Sequence, residues 1–383
     1  MTVKPSGALR VSFVVGRLAQ GGAEKQLVYM ARALKSAGVS VRVYCVTQGE
    51  FYQQPLRELG LAPIWFGQRG NPLLRAWTLA QMNRSFQPHI FQATHTYVNL
   101  HAAIAARLIG KTSIGAVRNN LAQTYVSAGR WTTLSLKIPS ALIVNSHHAM
   151  DELRQRALVS EHKPHLLTNV IDLAEFDAKH AQLIDPPPST AGSITVMFAA
   201  RLVPAKRLDR FLRAFSLARQ RVPTLRAVIL GEGPARPEAE TLIHELDLPP
   251  QSVMFAGLQA NVPAWLRHAD IFALSSDDEG FPNVVLEAMA ARLPVVTTPA
   301  GDAGIVVQDG ITGFVVPFDD LDAYADRLVR LAESPALRQQ MGEAGRQRAN
   351  ADYAYGTLAE RLLVVYARIL AEHGVSAVSS AVS

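Results

Sequence analysis

Two carboxylates, Glu279 and Glu287, stand with seven residues between them in Glu279-Gly280-Phe281-Pro282-Asn283-Val284-Val285-Leu286-Glu287. The first lies in a loop containing glycine and proline. The second lies on an apolar stretch, Val284 to Ala291, that reads as helix. A strand-like run, Ala269-Asp270-Ile271-Phe272-Ala273-Leu274, comes just before. A strand, a short loop and a helix opening at Pro282 make an anion site. Proline suits a first helical turn, and the backbone N–H groups there point at the ligand. A carboxylate on each side of that site can bind hydroxyls. The pair therefore suits a ligand with a diphosphate in the middle and a sugar at each end.

Arg201 and Lys206 carry the opposite charge. They sit in Val196-Met197-Phe198-Ala199-Ala200-Arg201-Leu202-Val203-Pro204-Ala205-Lys206-Arg207, a buried-type strand running into a basic loop. Ligands of doubly wound sheets sit at the carboxyl ends of strands. Two cations there can stabilise charge building on a leaving diphosphate, and that electrostatic contribution is usually large in group transfer. A solvated helix start is the plainer reading, but clustered cations are unfavourable at a helix N-terminus. Gly231-Glu232-Gly233-Pro234 follows another strand, either as a plain turn or as a place where ligand or chain comes close. Gly21-Gly22 stands at a strand-to-helix turn, where a backbone can lie against phosphate or sugar.

Glu279 to Glu287 resembles the E-x7-E motif of retaining glycosyltransferases of family 4, which have the GT-B fold. Arg201 and Lys206 match an Arg and a Lys in that family's G-R-L-x-x-x-K-G type motif. Gly231-Glu232-Gly233 matches its G-x-G, and Gly21-Gly22-Ala23-Glu24 its N-terminal G-G-x-E. The resemblance implies that Glu287 binds ribose hydroxyls, that Glu279 with the backbone of Gly280, Phe281, Pro282 and Asn283 holds the transferred sugar, and that Val284 also belongs to the donor site. Arg201 and Lys206 would stabilise the departing diphosphate. Gly21, Gly22 and Gly231 would line the donor, and the strand end Phe255-Ala256-Gly257-Leu258 would contact the base, largely through backbone. The acceptor would attack from the leaving-group side, with retention at the anomeric carbon. The donor is a nucleotide-diphosphate sugar, a UDP-sugar being favoured. No cofactor is implied, and the chain has no aspartate-rich metal motif, so activity without metal is expected.

The sequence also departs from the family. Ala200 and Arg207 stand where glycines are common. An H-x-H-like pattern is missing around His95, and Ala116-Val117-Arg118-Asn119-Asn120 has no histidine where the family usually has one. The polar contact to the sugar or acceptor falls to Arg118, Asn119 or His95. His147-His148 either lines the acceptor cleft or sits on a helix start, the second being preferred. Asn169-Val170-Ile171-Asp172, followed by Phe176, resembles the family's domain-junction segment, with a structural job in turn and packing. Gly301-Asp302-Ala303-Gly304 and Gly310-Ile311-Thr312-Gly313 follow the family layout, without the Glu often found after the first.

These groups need elements to hold them. Strands are expected at Arg10–Gly16, Val39–Thr47, Ile90–Thr94, Ser113–Val117 and Ala141–Asn145, with helices between, including Ala23 to Ala37. After Ile184-Asp185-Pro186-Pro187-Pro188-Ser189-Thr190-Ala191-Gly192, which reads as a linker, the alternation restarts. Strands are expected at Ile194–Ala200, Arg226–Leu230, Val253–Ala256, Ile271–Leu274 and Val295–Thr298. Helices are expected at Leu208–Arg221, Arg236–Leu246, Val262–Arg267, Val284–Ala291 and Leu321–Ala332, with a tail helix at Tyr355–Leu370. This is the pattern of parallel α/β sheets. The fold class is two Rossmann-like domains facing across a cleft: residues 1–185, acceptor-side and completed by 355–383, and residues 186–354, which bind the nucleotide sugar. The tail crossing back to the first domain is a family trait.

At 383 residues with 49 % hydrophobic content the chain is sized for two globular domains. No apolar run reaches a membrane span, and nothing reads as a signal peptide. Cys45 is the only cysteine, which excludes an internal disulfide and a cysteine metal cluster. Together these favour the cytoplasm. The net charge of +6 hides a split: residues 1–150 carry 16 Lys/Arg against 3 Asp/Glu, and no acid occurs between Glu58 and Asp151. Such a half points to an anionic partner. An anionic membrane surface, with peripheral attachment to the inner face and a lipid-linked or cell-envelope glycan acceptor, is preferred to nucleic acid. A Rossmann oxidoreductase would need G-x-G-x-x-G after the first strand, and the loop Gly16 to Gly22 lacks it. A non-catalytic sugar-nucleotide or membrane-binding protein on the same fold is the remaining alternative.

Overall fold

The structure, a computed structural model, describes residues 9–67, 71–118, 129–185, 187 and 192–374. The chain divides into two compact units, one of residues 1–170 and 355–383, the other of residues 171–354.

The first unit is built on a seven-stranded parallel sheet. Its strands are β1 (Arg10–Val15), β2 (Ser40–Cys45), β3 (Ile64–Trp65), β4 (Ile90–Ala93), β5 (Thr112–Val117), β6 (Ala141–Val144) and β7 (Pro164–Leu166), in the order β3-β2-β1-β4-β5-β6-β7. Period-two alternation sends neighbouring residues of one strand to opposite layers. Val11, Phe13 and Val15 join the core under helices Gly22–Ser36 and Leu358–Glu372. Val14, with Phe91 and Ala93, joins the core under helices Pro72–Asn83 and Asn99–Leu108. The sheet is thus covered on both faces, as its near-continuous apolar strands require.

The tail helix, Leu358–Glu372, belongs to this first unit and packs beside Gly22–Ser36. It buries Leu358, Leu362, Tyr366, Ile369 and Leu370 at the 3.6-residue spacing of one helical stripe. The hydroxyl of Tyr366, fully buried, donates to Gln92 Oε1 on β4. Tyr366→Phe should therefore cost about 1–3 kcal/mol, because it strands a buried amide oxygen. Urea unfolding of the full chain measures this, and an unchanged midpoint would show that the bond contributes nothing.

The second unit holds a six-stranded parallel sheet. Its strands are β8 (Ile194–Ala199), β9 (Leu225–Leu230), β10 (Val253–Gly257), β11 (Ile271–Leu274), β12 (Val295–Thr297) and β13 (Gly313–Val315), in the order β10-β9-β8-β11-β12-β13. β8, β9, β11 and β12 are mostly apolar, and all their residues are buried apart from the first of β8.

Three expectations need correction. The division falls at Val170/Ile171, ahead of the proline-rich stretch. Helix Leu173–His180 is capped by Asp172, which accepts from Ala174 and Glu175 N–H, and it commits Phe176 to the second core. Residues 186 and 188–191 of that stretch lie outside the described residues. The helix after Glu279 opens at Asn283, with Pro282 as the capping residue before it at φ −81°, ψ 83°. The Pro282 carbonyl already accepts from Val285 and Leu286 N–H. A long helix, Pro335–Asp352, fills a stretch for which no element is expected.

Candidate functional site

In the second sheet the strand order reverses between β8 and β11. Loops leaving the carboxyl ends of strands at such a reversal diverge and open a crevice. Arg201 to Arg207 follow β8, and Ser275 to Pro282 follow β11. The sequence thus delivers its cations and its first carboxylate to the same edge.

The two loops are stitched together. Asp277 N–H donates to the Ala205 carbonyl at 2.9 Å. The Ser275 hydroxyl donates to the Arg207 carbonyl at 2.7 Å. Arg210, 2 % exposed, donates to the Ser275 carbonyl at 2.7 Å and pairs with Asp277 and Asp319, each at 2.7 Å. Against this frame Lys206 Nζ lies 2.7 Å from Glu279 Oε1 and 3.2 Å from the Asp278 carbonyl. The Ser276 hydroxyl donates to the same Glu279 oxygen at 2.8 Å, and the Thr298 hydroxyl donates to the Ser276 carbonyl at 2.5 Å. A cation and a carboxylate far apart in sequence are therefore held as a charge-assisted pair, each in one orientation.

Arg207, where glycine is common in the family, adopts φ 48°, ψ 50°. That left-handed backbone costs an ordinary residue strain that glycine avoids. Ion pairs of its guanidinium with Asp209 and Asp277, each at 3.0 Å, offset the strain. They also pull Arg207 above the usual guanidinium pKa, the Asp209 bond being the largest cause.

Glycines set the rest of the edge. A Cβ on Gly231, at φ 128°, would meet the Ala200 carbonyl oxygen at 1.9 Å. One on Gly233 would meet that of Leu202 at 2.3 Å. Leu202 N–H donates to Glu232 O at 2.9 Å. The G-x-G turn is thus the close-packed support of the Arg201 loop. Gly301, at φ 54°, does the same for the other loop: its Cβ would lie 1.9 Å from the Glu279 carbonyl oxygen. Asp302 N–H donates to Gly280 O at 3.2 Å.

The other expected donor residues vary in surroundings. The Arg201 side chain is solvent-exposed. Phe281 is buried with its ring edge-on to Tyr353 at 5.5 Å, so it anchors the loop and leaves only backbone for a ligand. Asn283, Val284 and Glu287 are half-buried on the helix, Glu287 one turn beyond Asn283. Leu258 is exposed just past a bulge at the end of β10. Sequence reasoning gave no role to Arg210, Asp277, Ser276 or Thr298. Their signal is weak: a serine pair and an aspartate pair after a strand, ahead of Glu279.

In the first sheet the order reverses between β1 and β4. Gly21 caps helix Gly22–Ser36 in extended conformation. Glu24, in the first turn, places Oε1 3.2 Å from His95 Nε2 at the end of β4, while Thr94 Oγ1 lies 3.0 Å from His95 Nδ1. The His95 ring stacks on Tyr97 at 5.2 Å. Arg118, at the end of β5, has a buried Nε without a partner. Burial pushes its guanidinium down to about 10, opposed by the Glu24 charge, so it stays charged at neutral pH. Gly21, Gly22, His95 and Arg118 thus share the carboxyl edge of one sheet, while Asn119 lies outside the described residues. His147 and His148 open helix His147–Gln155 and are exposed.

Comparison with known proteins follows the same division. The family described as Glycosyltransferase Family 4 matches residues 20–175, and that described as Glycosyl transferases group 1 matches residues 182–348. An alpha-D-kanosaminyltransferase of Streptomyces kanamyceticus is 27 % identical over 241 residues, 60 % of this chain and 61 % of that one. A GDP-mannose-dependent alpha-(1-6)-phosphatidylinositol monomannoside mannosyltransferase of Mycolicibacterium smegmatis is 35 % identical over 175 residues, 44 % of this chain and 46 % of that one. The matched stretches span less than two thirds of these relatives' own lengths. The crystal structure of Anabaena HepE in complex with UDP and glucose superposes with a TM-score of 0.80 at 19 % identity, covering 94 % of this chain and 99 % of that one. At that identity the likeness speaks for fold. With two parallel α/β sheets, their reversal points and both sequence families in agreement, the chain belongs to glycosyltransferase family 4, on the GT-B fold.

Proposed function

We propose that this protein is a retaining glycosyltransferase. It moves a sugar from a nucleotide-diphosphate sugar, a UDP-sugar being favoured, to a hydroxyl of a lipid-linked or cell-envelope glycan. It works in the cytoplasm, peripherally on the inner face of the membrane. The observation that carries this reading is the clustering of Lys206 and Glu279, with Arg201 on the same loop and Glu287 on the next helix, at one strand-order reversal. The curated relatives named above are sugar transferases, and the HepE structure holds UDP and glucose; both support the assignment.

In the reaction the bond between the anomeric carbon and the diphosphate oxygen breaks. The acceptor oxygen bonds to the same face of that carbon. The acceptor proton passes to the departing diphosphate. Arg201 and Lys206 stabilise the charge that grows on the leaving group, in the place a metal ion would otherwise take. Glu279 holds the sugar and Glu287 the ribose. No side-chain base is needed, because the leaving oxygen takes the proton.

A thermal-shift screen of UDP-, GDP- and ADP-sugars tests donor binding. At a hundred times its dissociation constant the right donor should add about 2.7 kcal/mol of stability, and no response to any of them would overturn the donor assignment. With the donor in hand, NMR of the product should show the donor's anomeric configuration, and EDTA should leave the rate intact. Inversion would refute retention. Loss with EDTA, restored by magnesium or manganese, would refute metal independence.

A further inference from the structure

Helix Arg130–Lys137 is turned inside out. A surface helix of a folded domain normally buries its apolar stripe and shows its polar one to water. Here Thr132 and Ser135 are buried, at 1 % and 5 % exposure, with Leu136. Trp131, Leu134 and Ile138 face outward at 60 %, 40 % and 39 %. Their spacing of three and four residues puts all of them on one stripe. The inward contacts are satisfied as polar contacts should be: the Ser135 hydroxyl donates to the Thr132 carbonyl at 2.7 Å, and Asn99 Nδ2 to the Ser135 carbonyl at 3.2 Å. The inversion is therefore built into the packing.

The neighbouring helices continue the pattern. Helix Arg130–Lys137 touches helix Asn99–Leu108, which packs on helix Pro72–Asn83. Leu73, Leu74 and Trp77 are each more than half exposed on the last of these, and Leu108 ends the middle one at 54 %. Large exposed apolar side chains recurring on neighbouring helices point to an interaction surface.

The charge says what the surface meets. No acidic residue occurs between Glu58 and Asp151, so none lies on any of these three helices. Exposed Arg84, Arg107 and Lys137 stand at or just beyond their C-terminal ends. Lys163 donates to the Lys137 carbonyl, which brings a second ammonium to that end. The first acids after these helices, Asp151 and Glu152, pair with Arg154 and Arg156 on their own helix or at its end. Tryptophan and leucine flanked by cations, on helices that carry no acid, suit the interface of an anionic leaflet, where rings enter the headgroup layer and cations meet phosphate.

We propose that these three helices, with Trp131, Leu134 and Ile138 as the main apolar contacts, are the surface by which the protein docks on anionic lipid. The proposal deepens the reading of a peripheral transferase and rests on it for the membrane's relevance. The geometry itself does not depend on the reaction.

Co-sedimentation with vesicles of phosphatidylglycerol and phosphatidylcholine, and of phosphatidylcholine alone, tests it. Wild type should bind the anionic vesicles at low salt and release at high salt. Trp131→Glu with Leu134→Glu should lower that binding by about tenfold or more, and Lys137→Glu by about fivefold. Thermal stability and hydrolysis of the donor in solution should hold in both variants. As a second readout, an environment-sensitive dye on Leu134→Cys should shift to the blue with anionic vesicles, while the same dye on Ile311→Cys in the other unit should not. Equal binding by wild type and the double variant, or no shift at position 134, would overturn the proposal. So would light scattering that shows a wild-type dimer dissolved by the double variant, because the occupant would then be a second copy. Sugar transfer without vesicle binding removes the docking surface and keeps the enzyme. Vesicle binding that follows the helix, with no response to any sugar nucleotide, does the reverse.

Discussion

Lys206→Ala is expected to lower turnover by about a hundredfold or more, with little change in donor affinity. The leaving diphosphate gains charge as its bond breaks, so a cation facing it contributes more to the transition state than to the bound ground state. Glu287→Ala should behave the other way. Ribose contacts are the same in both states, so the donor KM should rise while kcat stays near wild type. The Lys206 result has a structural component as well, since the lysine also pairs with Glu279 at 2.7 Å, where both side chains are mostly buried. Removing one member of such a pair leaves the other poorly solvated. A double-mutant cycle of Lys206→Ala with Glu279→Gln separates the direct effect from the loss of Glu279's orientation. Wild-type turnover in an Arg201→Ala, Lys206→Ala protein would sink the assignment.

Gly301→Ala should destabilise the second unit by about 2–4 kcal/mol. Its φ of 54° disfavours any side chain, and the new methyl would lie 1.9 Å from the Glu279 carbonyl oxygen. Backbone must move to admit it, and the backbone that moves is the loop carrying Glu279. Stability and donor protection should therefore fall together. Gly38→Ala is the matched control: its φ is 82°, but nothing lies within 4 Å of the added Cβ. It should cost about 1 kcal/mol from backbone strain and leave donor protection unchanged. If urea unfolding shows equal losses for the two variants, contact with the Glu279 loop is irrelevant.

The fold of the second unit was largely readable from sequence because its signals are dense and local. Strands such as Val196–Ala199 and Ile271–Leu274 are continuous apolar runs, and the residues that follow them carry charge and glycine at fixed spacing. What escaped has physical reasons. β3, β7 and β13 are edge strands only two or three residues long, and β7 begins with proline, so no alternation can show. Helix Pro335–Asp352 buries Gly342, Gly345 and Ala349 along with Met341. A Cβ on Gly342 would lie 2.0 Å from the Arg292 carbonyl oxygen, so this helix packs by smallness, which a hydrophobicity pattern does not register. The boundary was set too late because prolines mark stiffness, whereas the division follows where Phe176 is buried. The Arg207–Arg210–Asp277 network was invisible because its members approach only when β8 and β11 become neighbours.

The first unit is discontinuous in sequence, and this orders the events of synthesis. Its seven strands leave the ribosome before residue 170, yet one of the two helices that cover Val11, Phe13 and Val15 is made only after residue 354. The second unit, continuous from Ile171 to Ala354, has all its parts in hand first. At about 5–20 residues per second, the sheet made earliest waits on the order of ten seconds or more for its last layer. Through that interval a nascent chain carries an apolar strip, where Tyr366 and its neighbours will later lie, that its own last helix has yet to cover.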